Sequence, residues 1–370
     1  MAPRRSLPPW ILLALLFLST ACAAPLKSQG VSDTAAHHYA TGMKLLESGE
    51  LARAQEEFER ARGLAPGYAP AWEGLGLVAL GRRDLESAET LLRESKSRDR
   101  KWVGAYLGLA KVLAAKGDLA AARREAEAAL KIAPKNPRVH LTLGQVHLQA
   151  FEFQRAEASF ARALELDPAS ADARREWDRS VKIRQAAPGT LVGKRMALAD
   201  PITRGELAAL LATELGVETH LRKARPELFD ASFRPPGSPA QAPATPEAPV
   251  DLGSHWARNA VELVLRLGLM DVYPDRTFRP DEPVTRSSLA MTLEQVLAVA
   301  GRDPALKTRH VGQLSPFPDV RSDHFAFNAA VVVTTRGLME AERPSGAFRL
   351  SSPVAGPEAL LAVRKLAELF

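Results

Sequence analysis

The sequence predicts an all-α protein: a solenoid of paired helices followed by a second helical domain. Three observations carry this. Apolar residues are 46% of the 370 and aromatics only 6%, with Ala and Leu abundant, a balance that favours helix over strand. Small residues recur every 34 positions through the first half. In the second half, Ala260, Val261, Val264, Leu265 and Leu267, and then Leu289, Leu293, Val296 and Leu297, keep helical spacing. The net charge is +6, with basic and acidic residues interspersed rather than gathered in a basic block or an aromatic–basic stripe. That excludes a nucleic-acid surface and is compatible with weak affinity for an acidic polymer or membrane.

The first element is an export signal. Arg4 and Arg5 precede the apolar run Trp10 to Leu18, which is too short to span a bilayer as a helix. Ser19, Thr20 and Ala21 then lead to Cys22, the only cysteine of the chain. The arrangement resembles a bacterial lipoprotein signal. That resemblance implies a signal peptide over 1–21, lipidation of Cys22, a tether over 22–34 and a membrane attachment through the N-terminal lipid. Ala23 after the cysteine implies the outer membrane, facing the periplasm. Leu18 stands four before the cysteine where that motif has leucine three before. Ala21 to Ala23 also reads as an ordinary A-x-A cleavage site, which would give a soluble periplasmic or secreted protein.

The repeats come next. Ala54, Ala88, Ala122 and Ala156 fall in one column; so do Gly42, Gly76, Ala110 and Gly144, and Ala61, Ser95, Ala129 and Ala163. Phe58 and Phe160 share a column with Leu92 and Ala126, and Pro66, Pro134 and Pro168 close three of the four units. Small columns let two antiparallel helices approach, large residues fill the space left, and the proline stops the second helix. One hairpin cannot bury its apolar face alone, so neighbours must stack. The 34-residue period resembles the tetratricopeptide repeat, covering 35–170 without insertion. Residues 171–187 read as a polar capping helix anchored by Trp177.

The resemblance implies a concave groove lined by the first helix of each repeat. By column its residues are Tyr39, Met43 and Leu46; Glu73, Leu77 and Leu80; Leu107, Lys111 and Ala114; and Leu141, Gln145 and Leu148. The Lys and Asn residues that clamp a C-terminal carboxylate in one branch of the family are missing. The expected occupant is an amphipathic or extended protein segment; the alternative is that these leucines pack on one another or on the C-terminal domain. His140 and His147 share a helix face two turns apart without a third ligand, so they read as packing residues rather than a metal site.

From 188 onward the period is lost, and a Pro/Ala-rich insert over 231–250 reads as an extended link. Then Asp251, His255-Trp256-Ala257, Gly268, Tyr273, Asp275, Thr277, Phe278, Pro280 and Thr285-Arg286 follow in order. This resembles the S-layer homology module, which implies a degenerate pseudo-threefold helical domain over 188–370. A truncated first copy shows Thr203-Arg204 and Glu206. A third keeps Phe317, Asp319, His324, Ala326, Gly337 and Phe348 but has Ala355-Gly356 in place of Thr-Arg. Val272 and Arg276 replace two glycines of the pattern. The family binds anionic wall glycans between copies. A helix N-terminus offers free N–H groups and an arginine there adds a fork for a carboxylate. The implied site residues are Arg204 and Arg286, supported by Thr203, Thr285, Trp256 and Asp251. Their structural alternatives are helix caps for the threonines and Asp251, core anchoring for Trp256, and carbonyl-tying for the arginines.

No catalytic motif, phosphate loop or metal-ligand spacing occurs, so the sequence implies no cofactor. The expected function is a non-enzymatic envelope lipoprotein. A protein partner would sit in the repeat groove, and the second module would touch peptidoglycan or an anionic wall glycan. The alternative is a regulatory or assembly subunit of a periplasmic enzyme or of a secretion or polysaccharide-export complex.

Overall fold

The structure, a computed structural model, describes residues 26–28, 30, 33–229 and 249–370. Cys22 and nearly all of the 231–250 insert lie outside the described residues. The described residues form helices and no extended strands. Their contacts divide the chain into two compact units, up to 142 and from 143 onward.

The first unit holds α1 (Ala35–Glu47), α2 (Leu51–Leu64), α3 (Ala69–Gly81), α4 (Leu85–Arg98), α5 (Val103–Ala115), α6 (Leu119–Ile132) and the start of α7 (Pro137–Gln149). Each pair packs as a hairpin and each hairpin packs on the next. The small columns are the reason. A Cβ at Gly42 would meet the Phe58 ring at 2.6 Å, and one at Gly74, on the following hairpin, would meet it at 2.3 Å. Leu92 is seated in the same way between Gly76 and Gly108. Phe58 and Leu92 are fully buried, so each large side chain joins its own hairpin to the next one. Thr34, Asp84 and Asp118 cap α1, α4 and α6 through their side-chain oxygens.

The second unit begins inside α7 and continues with α8 (Phe153–Leu166), α9 (Ala171–Ala186), α10 (Leu191–Met196), α11 (Arg204–Thr213) and α12 (Val217–Ala224). It closes with α13 (Arg258–Arg266), α14 (Arg286–Ala300), α15 (Phe327–Thr335) and α16 (Gly356–Ala367). Helix α9 packs on α8 and also on α16. Its buried face is Ala173, Ser180, Ile183 and Ala186, whereas Trp177 is only half-buried. The anchor is therefore Ile183, not Trp177, because a helix clamped on two sides buries its small and branched positions.

The three copies meet in a ring of backbone hydrogen bonds. Ile202 N–H donates to the Val354 carbonyl (2.9 Å), Val354 to Val284 (2.9 Å), and Val284 to Ile202 (2.8 Å). All three residues are fully buried and immediately precede the capping positions of α11, α14 and α16. The pattern repeats in the loops: Asp251 accepts from Phe278 and Arg279 N–H at 2.8 and 2.7 Å, and Asp319 accepts from Phe348 and Arg349 at the same distances. Burial raises the Asp319 carboxyl, but the two backbone donors outweigh it and hold the group below the usual range. Arg276, standing where the pattern has glycine, adopts φ 64°; the third copy has Gly346 there, at φ 71°. The first copy lacks its leading helix, and α10 packs on α11 and α16 in that region.

Candidate functional site

In the repeats, the predicted groove residues divide by burial. Tyr39, Met43, Leu46, Leu77, Leu80, Ala114, Leu141 and Gln145 are half-buried and Lys111 is exposed. Leu107 (4% exposed) and Leu148 (5%) are buried and cannot line an open surface; Leu107 packs with Tyr106, Ala129 and Val139 instead. Glu73 is also buried, at 1% exposure. Its Oε2 accepts from Trp102 Nε1 at 2.7 Å and from the Tyr39 hydroxyl at 3.1 Å, so one carboxylate ties α1, α3 and the start of α5 together. Burial pushes the Glu73 carboxyl up; Trp102, Arg138, Tyr39 and Lys111 pull it down, and burial prevails. Tyr39 meets Tyr68 and Trp102 edge-on, both at 6.2 Å between ring centres. Trp102 and Tyr68 were not legible as part of this cluster because they stand outside the groove columns.

In the second unit, the helix N-termini expected to be free are already occupied. Arg204 and Gly205 N–H donate to the carbonyls of Glu282 and Pro280, at 2.9 and 2.8 Å. Arg286 and Ser287 N–H donate to Ser352 and Leu350, both at 2.9 Å. Thr203 and Thr285 cap the next N–H of their own helices, Thr203 in a reciprocal box with Glu206. These donors serve the joints between copies, leaving few for an anion.

The two arginines are joints as well. Arg204 donates from Nε to Phe278 O (2.8 Å) and from Nη2 to Asp271 O (2.9 Å). Arg286 makes the same pair of bonds to Phe348 O and Glu340 O, both at 2.7 Å, and adds an ion pair to Glu358. Each guanidinium lies 4.7 Å from the ring centre of the phenylalanine whose carbonyl it holds. The Arg286 side chain is only 13% exposed, so it is a clamp rather than a free fork. Arg204 Nη1 makes no hydrogen bond among the described residues. Asp251 is committed to its two backbone donors and does not cap the following helix. Trp256 is 59% exposed, which excludes the core-anchor alternative.

A cavity of about 440 Å³ lies at the junction of the three copies. Of the predicted residues it gathers Arg204 and Thr285; Thr203, Arg286, Trp256 and Asp251 are not in its walls. Its other chemistry was not anticipated. Glu282 and Gln295 line it, and each has a buried side-chain oxygen that accepts no hydrogen bond, Glu282 Oε2 and Gln295 Oε1. Glu282 Oε1 takes the Tyr273 hydroxyl at 3.2 Å, while Oε2 lies 3.8 Å from Arg279 Nη1. Phe325, 75% exposed, and Met291, 40% exposed, give the cavity an apolar rim. Lys307 adds a cation without an ion pair among the described residues. Glu294, also in the wall, is held by Asn328 and raised by burial. Oxygen acceptors without donors, an open ring face and a cation suit a hydroxyl-rich ligand that bears a negative charge. Phe325, after His324 and before Ala326, stands where the second copy has Trp256. Glu282, Gln295 and Lys307 carried no signal.

Comparison with known proteins bears on both units. Tetratricopeptide repeat families match residues 39–101 and 113–175, and the S-layer homology domain family matches residues 250–290. The chain carries tetratricopeptide repeats and an S-layer homology domain. The S-layer homology match covers the second copy, and the backbone ring and paired aspartates relate the flanking segments to it. Both module types are typically non-catalytic: tetratricopeptide repeat domains in general bind protein partners, and S-layer homology domains bind wall polymers at the cell surface. The chain is 34% identical over 143 residues to cellulose synthase operon protein C of Xanthomonas axonopodis pv. citri, covering 36% of this chain and 9% of that one. It is 27% identical over 169 residues to cell surface glycoprotein 1 of Acetivibrio thermocellus, covering 45% of this chain and 6% of that one. The chain thus spans less than a tenth of the length of either curated relative. Among solved structures, a thermophilic tetratricopeptide repeat protein of Thermus thermophilus aligns at 20% identity and TM-score 0.37, over 40% of this chain and 81% of that one. No described helix is long and apolar enough to cross a membrane.

Proposed function

We propose that the protein is a non-enzymatic scaffold of the cell envelope. The repeats take a protein segment along Tyr39, Met43, Leu46, Leu77, Leu80 and Lys111. The S-layer homology module holds a charged wall glycan or peptidoglycan at the cavity beside Arg204. Cys22 tethers the chain to the outer membrane through lipid. The observation that carries the glycan assignment is that Glu282 Oε2 and Gln295 Oε1 are buried and accept no hydrogen bond in the same cavity wall as the exposed Phe325 ring. Sugar hydroxyls supply donors, a sugar face stacks on the ring, and a carboxylate meets Lys307 and the free amino group of Arg204.

The test is co-sedimentation of the full-length protein with purified peptidoglycan sacculi that retain their wall polymer. Phe325→Ala and Lys307→Gln alter exposed side chains, so folding is preserved. Each should weaken retention about fivefold, the loss of roughly 1 kcal/mol of contact. Equal retention of both variants and the parent would refute the cavity. The lipid tether is tested separately, by the mass of the mature N-terminus.

The likeness to cellulose synthase operon protein C favours a second reading, in which the protein is an assembly or regulatory subunit of a periplasmic enzyme or an export complex. Crosslinking in intact cells distinguishes the two: a stoichiometric export or enzyme partner, with no retention on sacculi, supports the second.

A further inference from the structure

The chain ahead of the first helix is fastened to α2. Leu26 N–H donates to the Gly63 carbonyl at 2.7 Å, and the Leu26 side chain fills the space beside Gly63, where a Cβ would meet it at 2.4 Å. Further on, Asp33 is paired with Arg60 of the same helix and with His38. Cys22 stands only four residues before Leu26, and four residues reach at most about 14 Å. A lipid on Cys22 is therefore held close to the C-terminal end of α2.

The edge of the repeats at that end is basic. The helices of the first unit alternate in direction, so the α2–α3, α4–α5 and α6–α7 links share one edge; Tyr39, near the start of α1, touches both Tyr68 and Trp102 from two of these links. The last turns of α2, α4 and α6 with the links that follow carry Arg62, Lys96, Arg98, Arg100, Lys101, Lys131 and Lys135 against one acid, Asp99. Lys96 is paired with Glu125 and Arg98 with Glu94, whereas Arg100, Lys101, Lys131 and Lys135 are exposed and have no ion pair among the described residues. Lys27, also exposed, adds to them from the fastened segment. The opposite edge, formed by the last turns of α1, α3 and α5 and their links, holds four cations and four acids. Both edges contain helix C-termini, so the helix dipole does not account for an excess on only one. On the basic edge, Arg62 and Arg98 lie over the Trp72 ring, 5.3 and 5.2 Å from its centre, and Trp72 Nε1 donates to Pro66 O at 2.9 Å. A half-buried indole among arginines suits the headgroup layer of a bilayer, where an apolar ring and a polar rim are both accommodated.

We propose that this edge of the repeats docks on an anionic phospholipid surface, the one that holds the Cys22 lipid. Its cations meet headgroup phosphates, and the balanced edge faces away. Lipid and basic patch act together, since each Lys or Arg near a charged bilayer adds to the hold of the acyl chains. The proposal rests on the reading of Cys22 as the lipid tether.

The experiment uses the protein from residue 22 onward with Cys22→Ser, so that no lipid contributes. It is sedimented with vesicles of phosphatidylethanolamine and phosphatidylglycerol, and with vesicles of phosphatidylcholine alone. Arg100→Gln/Lys101→Gln/Lys135→Gln removes three unpaired cations from the basic edge; Lys44→Gln/Arg82→Gln/Arg83→Gln removes as many from the opposite one. The parent and the second variant should bind the anionic vesicles and not the neutral ones. The first variant should bind about a hundredfold more weakly, about fivefold for each cation lost, with an unchanged thermal midpoint. If the parent binds neither vesicle, or the two variants bind alike, the docking edge is refuted, and a lipid found in the mass of the mature N-terminus leaves the tether reading standing. If that mass shows a bare Cys22 while the variants differ as expected, the tether reading fails and docking by charge stands. If the first variant loses retention on lipid-free sacculi and not on vesicles, the edge serves an anionic wall polymer and the phospholipid assignment is overturned.

Discussion

The repeats and the C-terminal module are both helical, yet they are closed by opposite means. In the repeats the seating contacts are near in sequence: Phe58 lies between Gly42 and Gly74, and the same device returns 34 residues later with Leu92. In the module the decisive contacts are far apart in sequence, since the backbone ring joins Ile202, Val284 and Val354. A solenoid can lose one joint and keep its neighbours. A three-membered ring has no such redundancy, because each copy holds the next.

Three substitutions test that contrast. The largest effect is expected from Phe58→Ala, which empties the space between three packed helices and should destabilise the repeats by about 3–5 kcal/mol. Hydrogen exchange should show protection lost in α1 to α3 and retained toward α6. Uniform loss across the first unit would contradict the nearest-neighbour picture. Gly356→Ala comes next. Its added Cβ is opposed by backbone rather than a movable side chain, so a cost of about 3 kcal/mol is expected. Here protection should fall together around Ile202, Val284 and Val354. Loss confined to α16 would show that the ring is not a cooperative unit.

The smallest effect concerns Glu73, whose carboxyl is raised by burial in the folded chain. The folded state then binds its proton more tightly than the unfolded state does. Stability contributed by the protonated form is full below the unfolded value near 4.5 and is lost as pH rises through the raised folded value. Glu73→Gln keeps an oxygen to accept from Trp102 and Tyr39 and removes the buried charge. It should leave the repeats unchanged or about 1 kcal/mol more stable at pH 7 and flatten the pH dependence above 4.5. Chemical denaturation at pH 4.5 and 7 checks both. A destabilised variant at pH 7 would mean that the charge is required, through Arg138 and Lys111.

The repeat columns, the caps at Thr203 and Thr285, and the order of the S-layer homology motif were legible because they are local: period, capping chemistry and turn residues act within a few residues of chain. Burial was less legible. Leu107 and Leu148 occupy groove columns yet are covered, and Trp256 and Phe325 look like core residues yet are exposed. For the arginines the sequence left two roles open, glycan binding and the tying of carbonyls, and the structure shows the second. Arg204 and Arg286 match a binding motif, but their partners are carbonyls 54 to 74 residues away.

Stacked helical hairpins followed by copies of a helical module are written in the residue pattern of the chain. Helix periodicity and small-to-large complementarity follow from neighbours along the chain. Which polar groups remain available to a ligand is set by the three-dimensional fold. That depends on which donors and acceptors the distant copies have already taken from one another. Among the described residues it left Glu282 Oε2 and Gln295 Oε1 without a hydrogen bond and Lys307 without an ion pair beside one cavity.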